Sequence, residues 1–317
     1  MKLSDTLKYL IAVIIYGTNG FFVRFINCSS EFIVLCRGLI GSLFILSIMF
    51  VLKDLPDIKS IKKNSLMLII SGIALGLNWI FLFAGYKYAI SITSLCNYTA
   101  PIMVVIISSF IYKEKLNIKQ KLCVLFAFIG IVLLSGLFDG HINGDIHCFI
   151  YGFLAAGGFV VLVFCNRNMH DIKPLDKTVV QLFVSFLTVL PFVIVNSSFP
   201  TSLDRTSIII LIMMGVINTG LAYIFYFNSI DKLPVHKVAI IGYIEPVLSI
   251  LIGAIVFNEQ LSIFGIIGTI LILVSALVNE LLNIKSWKYF HENFIDLFSR
   301  NSKIILYLSK DMNSTIN

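Results

Sequence analysis

Two charged residues stand inside otherwise apolar runs of this chain, and they are the side chains best placed to do chemistry. Arg37, in VLCRGLIGSL, sits about a turn inside its run. An unpaired charge there costs at least about 2.5–3.5 kcal/mol in a bilayer, so the guanidinium must have a partner or face water. It could attract the carboxylate or phosphate of an anionic solute, or tie helix-end carbonyls or a carboxylate from elsewhere in the fold. Glu245 directly precedes Pro246 deep in a later run. A carboxylate in that setting can take up a proton and release it when hydrated, which is the chemistry of proton coupling. It could equally be a structural hydrogen-bond partner beside a proline-freed carbonyl. Pro101 and Pro246 each remove a backbone donor within a run, which marks them as hinges or site walls. Amides and aromatics gather on the same segments: Asn19, Asn78, Trp79, Asn97, Tyr98, Asn218, Tyr223 and Tyr243. Aromatic walls with a few convergent polar groups make small-molecule sites, so this set forms the candidate substrate-binding residues.

Other chemistries find no residues to carry them. The five histidines (His141, His147, His170, His236, His291) all lie outside the centres of the apolar runs, which leaves no buried catalytic cluster and argues against an enzyme. Six scattered cysteines include no C-x-x-C pair and read as small hydrophobes. Asp139, His141, Asp145 and His147 crowd one loop, but their spacing matches no metal site, so no metal is assigned. There is no G-x-x-x-x-G-K-[ST] to bind ATP, and no cofactor is expected.

The elements that must hold these residues follow from composition. The chain has 317 residues, 58% apolar and 13% charged, with a mean hydropathy of +0.95. Soluble domains are nearer 45–50% apolar and about 25% charged, so the chain is a membrane protein with the lipid bilayer as its partner. Ten apolar runs are expected to be helices, at 7–26, 32–52, 66–88, 91–111, 119–138, 146–166, 178–196, 206–228, 235–257 and 262–283. Runs such as VVIISSFIY do not alternate as barrel strands would. Of the 24 basic residues, only Arg24, Lys87 and Arg205 fall in loops on one side, and Arg37 lies within a run; every other one falls on the opposite side. That separation places both termini in the cytoplasm of a multi-pass protein of the plasma (inner) membrane. The net charge of +7 belongs to these loops and forms no continuous basic face, so no nucleic-acid partner is expected.

Residues 76–116 and 220–261 align once one residue is gapped near position 88. Gly76 then matches Gly220, Phe81 matches Phe225, Tyr98 matches Tyr243, Pro101 matches Pro246 and Glu114 matches Glu259. Five spans separate the copies, so the second crosses the membrane in the opposite sense. The loops agree: KEKLNIKQK after the fourth run carries four lysines, and NEQLS after the ninth carries none. Two inverted halves rocking about a central site are what alternating access requires.

These residues resemble the EamA-like branch of the drug/metabolite transporter superfamily. In that family each repeat has a proline in its fourth helix and a glutamate just beyond it, here Pro101 with Glu114 and Pro246 with Glu259. An aromatic-Gly-x-Asn stretch near the start corresponds to Tyr16-Gly17-Thr18-Asn19, and an arginine early in the second helix to Arg37. The resemblance covers about residues 7–283. It implies an all-α integral membrane protein of ten transmembrane helices in two inverted five-helix repeats, over 1–138 and 139–283. The implied activity is carriage of a small polar metabolite, most commonly export of an amino acid or related solute. Uptake of a nucleotide-like or phosphorylated metabolite, or a non-transporting scaffold or sensor, are the alternatives; the oligomeric state is not encoded. Beyond this core, 284–317 places Trp287, Phe290, Phe294, Leu297 and Phe298 at helical spacing, as expected of an amphipathic cytoplasmic tail. Glu114 and Glu259, at the membrane boundary, are expected to cap helices or pair with lysines.

Overall fold

The computed structural model describes residues 4–111, 117–134, 145–230, 232–233, 241–279 and 281–282, and every regular element among them is helical. In order these are α1 (Asp5–Gly17), α2 (Asn19–Arg24), α3 (Ser30–Val51), the short α4 (Ile58–Lys63), α5 (Ser65–Tyr86), α6 (Ile90–Asn97), α7 (Ala100–Ile111), α8 (Ile118–Leu134), α9 (Ile146–Arg167) and α10 (Pro174–Val195). Then follow α11 (Arg205–Met213), a π-helical segment Met214–Leu221, α12 (Ala222–Ile230), α13 (Ile244–Val256) and α14 (Ile263–Asn279). Polar caps set several starts: the Ser29 hydroxyl accepts from Phe32 N at 3.1 Å, and the Asp145 and Asp204 carboxylates accept from His147 N and Ser207 N.

Among the described residues, seven helical stretches are long and apolar enough to cross a membrane: Asp5–Arg24, Ser30–Val51, Ser65–Tyr86, Ile90–Ile107, Ile146–Asn166, Pro174–Val195 and Arg205–Ser229. α8, α13 and α14 lie where the other three spans are expected, but their described residues are shorter than a membrane span. The expected end of 119–138 and start of 235–257 fall outside the described residues, as do Glu114, Asp139, His141 and the 284–317 tail. The surface is apolar, with Phe50, Val51, Phe110 and Ile255 all more than 70% exposed, whereas Arg37, Asn78, Asp176 and Asn218 are buried. That inside-out distribution suits a bundle surrounded by lipid tails, where each backbone group must be satisfied within its own helix.

Breaks in the long helices fall beside the candidate site. Pro101 has no N–H and would clash with the carbonyl four residues back, so the fourth span stops at Asn97 and restarts at Ala100. Pro246 likewise lies in the first turn of α13, directly after a turn at Tyr243. Each proline therefore starts a new helix instead of kinking a continuous one. The first span breaks at Thr18, whose hydroxyl donates to Ile15 O at 2.7 Å. The two halves interlock: α5 packs on α9 and α10, α10 on α3, α1 on α12 and α13, and α6 on α13. Close approach of α9 to α5 needs Gly158, where a Cβ would lie 3.0 Å from Ala74 O and 3.1 Å from the Asn78 Cβ.

Candidate functional site

Arg37 is 2% exposed and is the largest fully buried side chain among the described residues. Its Nε donates to Thr219 Oγ1 at 2.9 Å and its Nη1 to Asn19 Oδ1 at 3.2 Å. The guanidinium lies over the Trp79 ring, 4.4 Å from its centroid, and 5.0 Å from that of Phe83, the two rings being nearly parallel. Asn19 also accepts from Asn218, whose amide donates in addition to Ile15 O at 3.0 Å and Thr18 Oγ1 at 3.3 Å. The break at Thr18 thus presents its carbonyl and side chains to α3 and the π segment. The charge is held by neutral oxygens and two aromatic faces, and Nη2 has no hydrogen bond among the described residues.

Glu245, in the first turn of α13, forms the opposite pole. Its carboxylate stands within electrostatic reach of Tyr98 and of Arg37. Tyr98 and Tyr243, each at a helix break, bring their rings to 6.3 Å, and Tyr16 and Tyr223 to 5.7 Å. The Tyr16 hydroxyl is buried with no hydrogen-bond partner among the described residues.

The predicted residues therefore divide into groups. Asn19, Trp79 and Asn218 surround Arg37, while Tyr98, Tyr243 and Glu245 form a second group with Tyr223 facing Tyr16. Asn78 and Asn97 stand apart: the Asn78 amide donates to Ala155 O at 2.7 Å and to Asn97 Oδ1 at 3.3 Å, tying α5 to α9 and α6. Sequence reasoning passed over Thr219, Phe83 and the phenol of Tyr16. The available signal for Thr219 was its repeat counterpart, since Asn218-Thr219 replaces Ala74-Leu75 when Gly220 is set on Gly76.

Set in the same register, Arg37 corresponds to Gln181 on α10. The Gln181 amide donates to Ser71 Oγ at 2.8 Å and to Asn166 Oδ1 at 2.7 Å. The topology is the same in both halves: a donor on the second helix of the repeat joins a hydroxyl from the opposite half's third helix and an asparagine from its own half's first. One hub uses a cation and the other a neutral amide.

Glu259 seals one end of the bundle. Its carboxylate accepts from Ile90 N at 2.7 Å and Ser91 N at 2.9 Å, capping α6, and pairs with Arg24 at 3.2 Å. It caps a helix from the other half and pairs with an arginine, not a lysine. The opposite, lysine-rich end is joined by Lys63–Asp171 at 2.7 Å, by Lys173–Asp54, and by Asp57 N donating to Asp176 at 3.0 Å.

The family model described as the EamA-like transporter family matches residues 6–136 and again 142–280. The chain belongs to the EamA-like transporter family. It is a multi-pass membrane transporter with a small-molecule substrate, not an enzyme. Similar to this EamA-like protein is "Uncharacterized transporter YxxF" of Bacillus subtilis (strain 168), 25% identical over 86% of this chain and 88% of the relative. "Protein PecM" of Dickeya dadantii is 23% identical over 96% of each chain. The "Probable amino-acid metabolite efflux pump" of Salmonella typhimurium is 22% identical over 88% of this chain and 95% of the relative. A solved structure described as "Crystal structure of protein" superposes with a TM-score of 0.61 at 16% identity, over 89% of this chain and 99% of that one, a likeness of fold.

Proposed function

We propose that this transporter carries a small polar metabolite with an anionic group, an amino acid or related solute, by alternating access through a site centred on Arg37. The observation that carries the reading is the pair of hubs. Joining three helices needs only the neutral Gln181, so helix packing alone does not account for a buried guanidinium at the matching position. Retaining a charge there costs at least about 2.5–3.5 kcal/mol, and a solute anion at Nη2 is the return. The protein is organised as ten spans in two inverted repeats, 1–138 and 139–283, with the tail 284–317 and both termini on the cytoplasmic side of the plasma membrane. The direction is export, a reading supported by the name of the Salmonella relative.

A thermal-shift screen of the detergent-solubilised protein against amino acids, nucleosides, organic cations and phosphorylated metabolites tests this, because a ligand that binds the folded state raises its apparent stability. The expected result is stabilisation by an acid-bearing solute, absent in Arg37→Gln. Stabilisation by organic cations alone would remove Arg37 from the site.

The place of Glu245, a lone carboxylate in the first turn of α13 directly before Pro246, favours a second element, proton coupling at Glu245. Glu245→Gln should flatten the pH profile of flux in proteoliposomes while leaving the protein in the membrane. An unchanged profile would assign Glu245 a purely structural role.

A further inference from the structure

We infer that Thr219, held by the π-helical segment of the eighth span, is the positioning residue of the solute site: it fixes the Arg37 guanidinium on the face of Trp79 through Nε, so that Nη2 is outside the hydrogen bonds of the hub. This rests on Arg37 as the solute contact and adds what sets its geometry.

π-helical turns are rare, and where they occur inside α-helices they gather at functional sites because the extra residue per turn re-aims the side chains around it. Here the wide turn runs from Met214 to Leu221, and its counterpart Ile70–Leu77 in α5 is ordinary α-helix. The neutral hub is served from that regular helix by Ser71. The charged hub is served by Thr219, which is displaced by about one helical turn relative to Ser71 and lies within the π segment. The Thr219 hydroxyl does two things at once. It donates to Met214 O, five residues back, at 3.0 Å, and it accepts from Arg37 Nε at 2.9 Å. One oxygen therefore ties the wide turn to the guanidinium. With Nε and Nη1 engaged by Thr219 and Asn19, the plane of the cation is fixed in two directions, and the ring of Trp79 fixes the third. Gly41 and Gly215 make this possible: the Thr219 side chain packs onto Gly41, and a Cβ at Gly215 would come within 2.6 Å of Ile40. The two helices could not approach so closely with larger residues.

The protein contains its own reporter. It has two tryptophans, Trp79 and Trp287, so in a Trp287→Phe background the emission comes from Trp79 alone, beneath the guanidinium. In that background Thr219→Val is isosteric but accepts no hydrogen bond, and Thr219→Ser keeps the acceptor. Thr219→Val should show the altered emission of Arg37→Ala, and Thr219→Ser should retain that of the parent. For L-glutamate, L-serine or inorganic phosphate, whichever stabilises the parent, apparent affinity should fall at least about tenfold in Thr219→Val and stay within about twofold in Thr219→Ser, with Tm of the unliganded proteins nearly equal. Parent-like emission in Thr219→Val, with Arg37→Ala altered, would overturn the inference. If none of the three probes stabilises the parent, the emission result still decides what Thr219 does, and the solute reading of Arg37 falls separately.

Discussion

Arg37 separates two kinds of contribution that a buried charge can make. Its hydrogen bonds to Asn19 and Thr219 could be made by a neutral donor, as Gln181 makes them to Ser71 and Asn166. What a neutral donor lacks is the cation over Trp79 and Phe83, with an Nη2 that makes no hydrogen bond among the described residues. Arg37→Gln should therefore fold with a stability within about 1 kcal/mol of the parent and lose solute-dependent stabilisation. Arg37→Ala should lose both, because it removes the donor to Thr219 Oγ1, leaves Asn19 Oδ1 with Asn218 alone and empties the space over Trp79, at a cost of about 1–3 kcal/mol or more. Thermal unfolding with and without ligand distinguishes the pair; equal destabilisation in both variants would make Arg37 a structural group. At this scale the sequence was legible where a polar residue is rare. Arg37 and Glu245 stand out in apolar runs, and Trp79 is one of two tryptophans. Thr219 was not legible, since a threonine inside a membrane helix most often bonds its own backbone, and only the packing of α3 against the π segment reveals its second bond.

At the scale of elements, Glu259 shows how an end is closed. One carboxylate satisfies the free N–H groups that open α6, which no residue of α6 itself caps, and holds Arg24 from α2. Arg24 in turn donates to Tyr88 O at 2.9 Å and lies over Phe257. The end of α2, the start of α6 and the segment after α13 are thereby joined through one side chain. Glu259→Gln keeps one acceptor oxygen and removes the charge, so the expected loss is about 2 kcal/mol, the scale of hydrogen bonds to an ionised group. Urea or thermal unfolding in detergent measures it, and a loss below about 0.5 kcal/mol would make the contact incidental. The π segment predicts a second outcome. Deleting Val216 removes the extra residue, restores α-helical register and rotates Thr219 away by about 100°. The protein should reach the membrane and show the Trp79 emission of Arg37→Ala. Span positions were readable because apolar runs admit little else in lipid, and the breaks at Tyr98 and Tyr243 because prolines follow them. The break at Thr18 and the π turn carry no such mark: a hydroxyl bond and a tertiary contact create them.

The whole molecule is joined across its lysine-rich end by a clamp between the two halves. The loop before α5 meets the loop before α10 through Lys63–Asp171 and Lys173–Asp54, through Asp57 N on Asp176, and through Asn64, whose side chain both donates to His170 O and accepts from His170 N. Exposed ion pairs are individually weak, which suits a contact that would part in the alternating-access cycle proposed above. Their pH window follows from direction. The hydrogen bond and charge of Lys63 hold the Asp171 carboxyl below its ordinary value, and the Asp54 carboxylate holds the Lys173 ammonium above its own. The first contribution is complete above about pH 4 and is lost as pH falls through the lowered value. The second is complete below about pH 10 and is lost as pH rises through the raised value. Between these limits the Lys63–Asp171 and Lys173–Asp54 ion pairs are both intact, and a pH dependence of transport near neutrality would be sought at Glu245. If alternating access opens this end, fixing it must stop transport. With the native cysteines replaced, Asp54→Cys and Lys173→Cys should form a disulfide that abolishes flux, and a reductant should restore it. Each single variant should keep most of the parent rate. Undiminished flux with the disulfide formed would mean that the halves do not separate here, and the route to Arg37 would have to open without moving these two loops apart.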